Sequence, residues 1–247
     1  MAGGATADPP LLDLHQHTHY NGRSDTELLA HQAFHRVTTT VLLPGDGWML
    51  SVLGDNASCA ALQAEYPERF VRFACANVAE SRTPDVLRGN LRRGALGIGE
   101  LKFHVSVDSP EMLRVYALAA EVGVPVLIHF EYVTYDTGLE RFEAVLRAHP
   151  KVNFIGHAQT WWGNISAELN PLEMYPKGPV KPGGSHRPAA RGLRQCLWRS
   201  LGRGGPDPSR RQHSVWRPPV LHLVNCLATG NLKQQSSLGF AEGYRLP

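Results

Sequence analysis

The sequence predicts an α/β fold of the (β/α)8 TIM-like barrel kind, with about six strands recognisable and an incomplete C-terminal part. Three observations predict it. Short β-rich runs alternate with helical stretches up to about residue 160, metal-ligating residue types stand at the C-terminal ends of four of those runs, and no glycine-rich phosphate loop follows the first. Repeated alternation implies parallel strands joined by crossover helices. In a barrel the chemistry gathers where the strands finish. The missing loop argues against a dinucleotide-binding sheet.

The β-rich runs are Leu11 to His15, Val37 to Leu43, Phe70 to Cys75, Ala95 to Phe103, Val124 to Phe130 and Val152 to His157. Each is rich in Val, Ile, Leu or Phe and is bounded by Gly, Pro or charge. Between them, Ser24-Asp25-Thr26-Glu27 is a capping-box pattern that opens a helix to Arg36. Ser109 and Pro110 supply an N-cap and a first-turn proline, after which Met112, Leu113, Val115, Tyr116, Leu118 and Ala119 form an apolar face ending at Gly123. A further helix runs from about Leu139 to Ala148 and stops before Pro150.

A chain of 247 residues is long enough for one sizeable core. No apolar run approaches the roughly 20 residues that cross a bilayer. The first ten residues show no basic region followed by an apolar stretch, so the chain reads as cytoplasmic, with no membrane partner. Cys59, Cys75, Cys196 and Cys226 have no CxxC spacing and are expected to be free thiols.

The chemistry is concentrated in histidines. His15 and His17 close the first run, and on extended backbone residues two apart point the same way, so both imidazoles can grip one ion. The fourth run ends in Glu100-Leu101-Lys102, the fifth in His129 and the sixth in His157. A single strand-end histidine is more often structural. Four strand ends carrying ligand types point instead to one site with a divalent metal; imidazole suits zinc, iron, nickel or manganese, and zinc is the ion expected. By contrast, His149 precedes Pro150 at the opposite end of its strand, His19 reads as a loop residue, and His31 and His35 lie one turn apart on a helix surface.

The motifs Asp13-Leu14-His15-Gln16-His17, Gly97-Ile98-Gly99-Glu100-Leu101-Lys102, Leu127-Ile128-His129 and Phe154-Ile155-Gly156-His157 together resemble the amidohydrolase superfamily. The likeness is to its amidohydrolase-related group with a distorted barrel, over roughly residues 10 to 184. It implies His15, His17, Glu100, His129 and His157 as metal ligands, with Lys102 the alternative on strand four. It also implies a metal-dependent hydrolase that cleaves an amide, ester or lactone of a small molecule with metal-activated water. A metal-dependent decarboxylase of the same fold is the nearest alternative. The family's general base is an Asp at the end of strand eight, and no such Asp is found, so the catalytic residue is unknown and an inactive barrel is a further reading. Lys102, His104, Trp161 and Trp162 are candidates for contact with substrate. A phosphoesterase of the PHP type, suggested by Asp13 to Thr18 with Ser24-Asp25, fits less well because the second run ends in Leu43-Pro44-Gly45-Asp46-Gly47.

After Gly184 the character changes. Residues 185–247 hold nine Arg and one Lys against Asp207 and Glu242, a net +8, whereas the preceding 184 residues have 15 basic and 20 acidic side chains, a net −5. A basic arm of this kind suggests a nucleic-acid partner, but a shifted reading frame explains it better. Gly192 to Arg203 can be encoded so that dropping the first base gives D-Y-A-N-V-Y-G-D-L-S-A, a helix end, a strand and a polar loop. Part of this is forced by the code: Trp198-Arg199 yields only Gly, Gln195-Cys196 only Asn or Ser, and Cys196-Leu197 only Val or Ala. The expectation is therefore a barrel portion at 1–184 and a basic, low-order, out-of-frame tail at 185–247, with nucleic acid not a partner. An unclosed barrel leaves open sheet edges, which favour association into a homo-oligomer.

Overall fold

The computed structural model describes residues 11–164, 166–168, 170, 181, 182 and 184, and the backbone of two short strands, Cys196–Leu197 and His222–Val224. The remainder of the 185–247 tail lies outside the described residues. Six strands form at the six expected runs, five within their bounds and β1 one residue past His15: β1 (Leu11–Gln16), β2 (Thr39–Leu42), β3 (Phe70–Arg72), β4 (Ile98–Leu101), β5 (Val126–His129) and β6 (Phe154–His157). The tail adds β7 (Cys196–Leu197) and β8 (His222–Val224). Strands of two and three residues are too short for any periodic signal, which is why the sequence pattern does not disclose them.

All pairings are parallel, in the orders β3-β2-β1-β8 and β4-β5-β6-β7, and a parallel bridge between Ala74 and Ile98 joins the two sheets. This is the order of a (β/α)8 barrel. Among the described residues β7 and β8 do not pair with each other, so the barrel is partial. Val41, Leu43, Phe73, Leu127 and Ile155 form one apolar cluster. They come from the β2–β3 side and from β5 and β6, and strands so far apart in the order touch only across a barrel interior. Leu127 and Ile155 each stand two residues before a strand-end histidine, so period two turns His129 and His157 toward the same interior.

The helices cover the outside. α1 (Asp25–Phe34) opens with the expected capping box, in which Ser24 Oγ accepts from Glu27 N at 3.3 Å and Glu27 Oε2 accepts from Ser24 N at 2.8 Å. α4 (Pro110–Val122) is capped by Ser109 and ends at Gly123, whose φ of 80° is the left-handed conformation that glycine adopts at little cost. Its Met112, Val115, Tyr116, Leu118 and Ala119 are buried, and full burial of each large apolar side chain contributes about 1.5–3 kcal/mol. α5 (Phe142–Ala148) is shorter than expected because Leu139–Arg141 form a 3-10 turn.

α2 (Asn56–Glu65), α3 (Thr83–Arg92) and α6 (Ala158–Gly163) have no counterpart in the sequence reading. α3 buries Thr83 and Asn90 beside Leu87, with Val86 and Leu91 packed against the core, so polar residues interrupt its apolar inner face. Arg72 supports its end: this buried guanidinium donates to Arg93 O at 2.8 Å, placing a cation at the negative pole of the helix. No helix among the described residues is long and apolar enough to cross a membrane.

Candidate metal centre

His15, His17, Glu100, His129 and His157 come together at the C-terminal ends of β1, β4, β5 and β6, each at most 7% exposed. Glu100 is the hub. Its Oε2 lies 3.1 Å from His15 Nε2 and 3.3 Å from His17 Nε2. Its Oε1 meets His129 Nδ1 and lies 3.6 Å from His157 Nε2. The two Nε2 atoms of His15 and His17 are 3.0 Å apart, and ligand atoms of His15, Glu100 and His157 all fall within 4.8 Å of one another.

Two irregularities in the ladders aim these side chains. Pairing slips between Asp13 and Gln16 on β1 and between Ile98 and Leu101 on β4, at the strand ends that carry His15 and Glu100. Such irregularities re-aim a side chain at the rim of a barrel. Gly99 permits the second one, because at its φ of 138° an added Cβ would stand 2.7 Å from Leu127 O. Around β1, Asp13 Oδ1 accepts from His15 N at 3.1 Å and Asp13 Oδ2 from Gln16 Nε2 at 2.8 Å, while Arg23 Nη2 donates to Gln16 Oε1 at 2.9 Å and to His17 O at 2.7 Å. This buried polar chain fixes the backbone that presents both imidazoles.

Electrostatics and tautomer both suit a cation. Burial alone would raise the Glu100 carboxyl, yet the charges of His15 and His129 outweigh it and hold Glu100 well below the usual carboxylate range. Leu43 O, 2.7 Å from His17 Nδ1, accepts its proton and so leaves Nε2 with a lone pair facing the cluster. An anionic oxygen and several converging imidazole nitrogens are the donor set that zinc or a similar divalent ion takes.

The rim brings other predicted residues together and separates some. Lys102 turns away from the cluster: its Nζ stands 5.4 Å from the centre of the Trp48 ring and 4.9 Å from that of Tyr135. His104 Nδ1 donates to Thr134 O at 3.0 Å, and its ring packs on Tyr135. Trp162 meets His157 edge to face, with ring centres 5.0 Å apart. Trp161 does not face the cluster. Its ring fills the space over Gly156, where no Cβ stands in the way, and stacks on Phe130 in the apolar layer. His19 is an exposed loop residue, and His149 closes α5 at the other end of the barrel.

Sequence reasoning overlooks two carboxylates and the aromatic pair. Glu131 Oε2 lies 3.3 Å from His129 Nε2, which holds its carboxyl below the ordinary value. Its position two residues beyond a strand-end histidine is a usable signal. Asp136 is fully buried, and burial pushes its carboxyl well above the ordinary range, reinforced by Glu100. Nothing local in Tyr135-Asp136 announces this. Trp48 and Tyr135 stack with ring centres 5.1 Å apart, although 87 residues separate them in sequence.

Comparison with known proteins completes the picture. No curated protein matches the chain in sequence. Among solved structures, an uncharacterized TIM-barrel protein from Bordetella bronchiseptica is 20% identical, over 54% of this chain and 50% of that one, with a TM-score of 0.41. The 2,6-dihydroxybenzoate decarboxylase from Rhizobium is 16% identical over 70% of this chain and 75% of that one, with a TM-score of 0.42. A 5-carboxyvanillate decarboxylase from Novosphingobium aromaticivorans, complexed with manganese, is 16% identical over 53% and 48%, with a TM-score of 0.39. The chain thus spans about half the length of the first of these. The decisive match is to the family model described as amidohydrolase, which covers residues 16–177 and takes in every member of the cluster except His15. Since that span is well over half of the chain, and the strand-end residues carrying the resemblance fall almost wholly within it, the protein belongs to the amidohydrolase family of enzymes.

Proposed function

We propose that the strand-end cluster is a divalent metal centre ligated by His15, His17, Glu100, His129 and His157, zinc being the favoured ion. We infer that the chain is a hydrolase acting on an amide, ester or lactone of a small molecule. The observation that carries this reading is a buried carboxylate held ionised among four imidazoles, one of them fixed in the ligand-ready tautomer by Leu43 O. A divalent ion bound there supplies Lewis acidity, activating water and polarising a carbonyl. The protein's own groups divide the remaining work. Asp13, Gln16 and Arg23 hold the β1 imidazoles in place, Glu100 supplies the negative charge that offsets a cation, and Glu131 holds the outer edge of the His129 ring through Nε2.

A decarboxylase of the same fold is the second reading. It is favoured by the Lys102 ammonium at the rim, which suits a carboxylated substrate. An inactive barrel is the third, supported by the sequence offering no strand-eight Asp in frame with the cluster. On the two catalytic readings the protein acts in the cytoplasm on a dissolved small molecule, with neither membrane nor nucleic acid as partner, and the sheet edges left unclosed among the described residues favour a homo-oligomer.

Metal analysis of the purified chain, with acid release and carbon dioxide release measured over a panel of esters, amides, lactones and aromatic acids, tests the proposal. Stoichiometric metal, with acid release lost in His15→Ala, is the expected result. Carbon dioxide release without acid release selects the decarboxylase. Metal without turnover selects the inactive barrel, and absence of bound metal sinks the metal centre itself.

A further inference from the structure

α1 leads from the C-terminal end of β1 back to the start of β2, so its last turn lies toward the end of the barrel opposite the strand-end cluster. That turn carries His31-Gln32-Ala33-Phe34-His35. His35 N donates to His31 O at 3.1 Å, which keeps the turn helical as far as His35 and sets the two imidazoles on one face. Their ring centres are 4.6 Å apart and their planes are inclined at 58°. With Zn–N bonds of about 2.0–2.1 Å, one ion can span a nitrogen of each ring at that separation.

The pair is not the freely solvated helix surface that its spacing suggests, because both residues are half-buried. His31 Nε2 is shut off from solvent and has no hydrogen-bond partner among the described residues, a state that buried polar atoms rarely keep. Burial lowers both imidazoles, His31 to about 4 with help from the charges of His35 and Arg23, so at pH 7 neither has a proton to give up before it binds a metal. The last turn is also the negative pole of the helix, which favours a cation. Two facts limit the affinity. The charge of Arg23 is felt at His31, and no third His, Cys, Asp or Glu among the described residues gathers with the pair. Two ligands hold an ion less tightly than the five of the strand-end cluster.

We propose that His31 and His35 form a second metal site, a two-imidazole clamp for a divalent ion of the zinc, nickel or copper kind, separate from the strand-end cluster and weaker than it. Neutral imidazole selects those ions over magnesium and calcium, which take oxygen. The clamp is independent of the reaction proposed above. An ion joining residues four apart locks the turn that ends at Arg36, whose φ of 54° stops the helix just before β2. It binds the folded chain only, and so stabilises it.

The test is zinc binding to the full-length chain by equilibrium dialysis, with unfolding followed by circular dichroism in chelator and in excess zinc. The native chain is expected to bind one more equivalent of zinc than His35→Ala or His31→Gln, and that last equivalent to raise the unfolding midpoint of the native chain alone. Each variant is compared with itself in chelator, so that a change in its own stability subtracts. Should His31→Gln fail to fold, His35→Ala carries the comparison. His15→Ala, which takes a ligand from the strand-end cluster, is expected to keep the weaker equivalent, so loss of that centre and loss of the clamp are read separately. Equal zinc content in the native chain and His35→Ala overturns the proposal. So does a His35→Ala chain whose midpoint climbs with excess zinc as the native one does, or magnesium that raises the native midpoint as far as zinc.

Discussion

Glu100→Gln removes one charge and almost no volume from the centre of the cluster. In the metal-free chain the carboxylate is the common partner of four imidazoles, with contacts of 3.1 Å to His15, 3.3 Å to His17 and 3.6 Å to His157, besides that to His129. Removing one partner from a buried charged set costs about 3–5 kcal/mol, because the groups left behind have lost water as well as their counter-charge. For a domain of this size each kcal/mol moves Tm by about 2–4 °C, so a fall of roughly 6–20 °C is expected in chelator. Glu100 is held below its ordinary value when folded, so its stabilisation is fully present above the ordinary carboxylate range and is lost as pH falls through the folded value. The gap between native and variant therefore closes in strong acid. Circular dichroism melts from pH 7 downward, run with chelator and then with zinc, measure both effects. Zinc should raise the native Tm and do much less for the variant. A variant that melts within about 1 kcal/mol of native at pH 7, or one that binds zinc equally well, refutes the assignment of Glu100 as the hub.

Four further outcomes follow from the same physics. Gly156→Ala places a methyl group in the Trp161 ring, and the overpacking should lower stability by about 1–3 kcal/mol; an unchanged urea midpoint would show that Trp161 does not rest on that strand. Burial pushes the Cys59 thiol up to about 12, so at pH 8 roughly one molecule in ten thousand carries the thiolate. Peptide mapping after iodoacetamide treatment of the native chain should find Cys59 unmodified, and fast alkylation there would contradict its burial. Ser24→Ala removes one half of the α1 capping box and should cost about 1 kcal/mol in chemical unfolding; a cost near zero means that α1 does not start there. Finally, we propose that residues 185–247 are read out of frame from a barrel portion at 1–184. Sequencing the coding DNA should reveal the shift, and a single intact frame together with the tail's peptides in the mass spectrum would overturn it.

Much of the fold was legible because its signals are local. Ser24 to Glu27, Ser109-Pro110 and Gly123 mark helix ends by chemistry that acts within four residues, and the apolar strand runs stand out because β4, β5 and β6 are buried on both faces. α2 and α3 were hidden for the opposite reason: α2 buries only Cys59 and Leu62 among small and polar residues, and Thr83 and Asn90 interrupt the apolar positions of α3. β7 and β8 are too short to leave any period.

Which strand ends carry ligand chemistry is legible along the chain, because order along the chain and order around a parallel barrel are the same thing. The sequence did not separate Glu100 from Lys102. Two residues apart, they share a face on any regular strand, but the β4 ladder slips between Ile98 and Leu101, and Glu100 meets the cluster while Lys102, past the end of the strand, rests on the Trp48 and Tyr135 rings. The tertiary structure likewise decided that Trp161 packs over Gly156 while Trp162 meets His157, a choice set by the missing Cβ of a residue on a neighbouring element. Contacts made through a glycine, a ladder irregularity or a ring from a distant loop have no period along the chain, and so only the folded barrel reveals them.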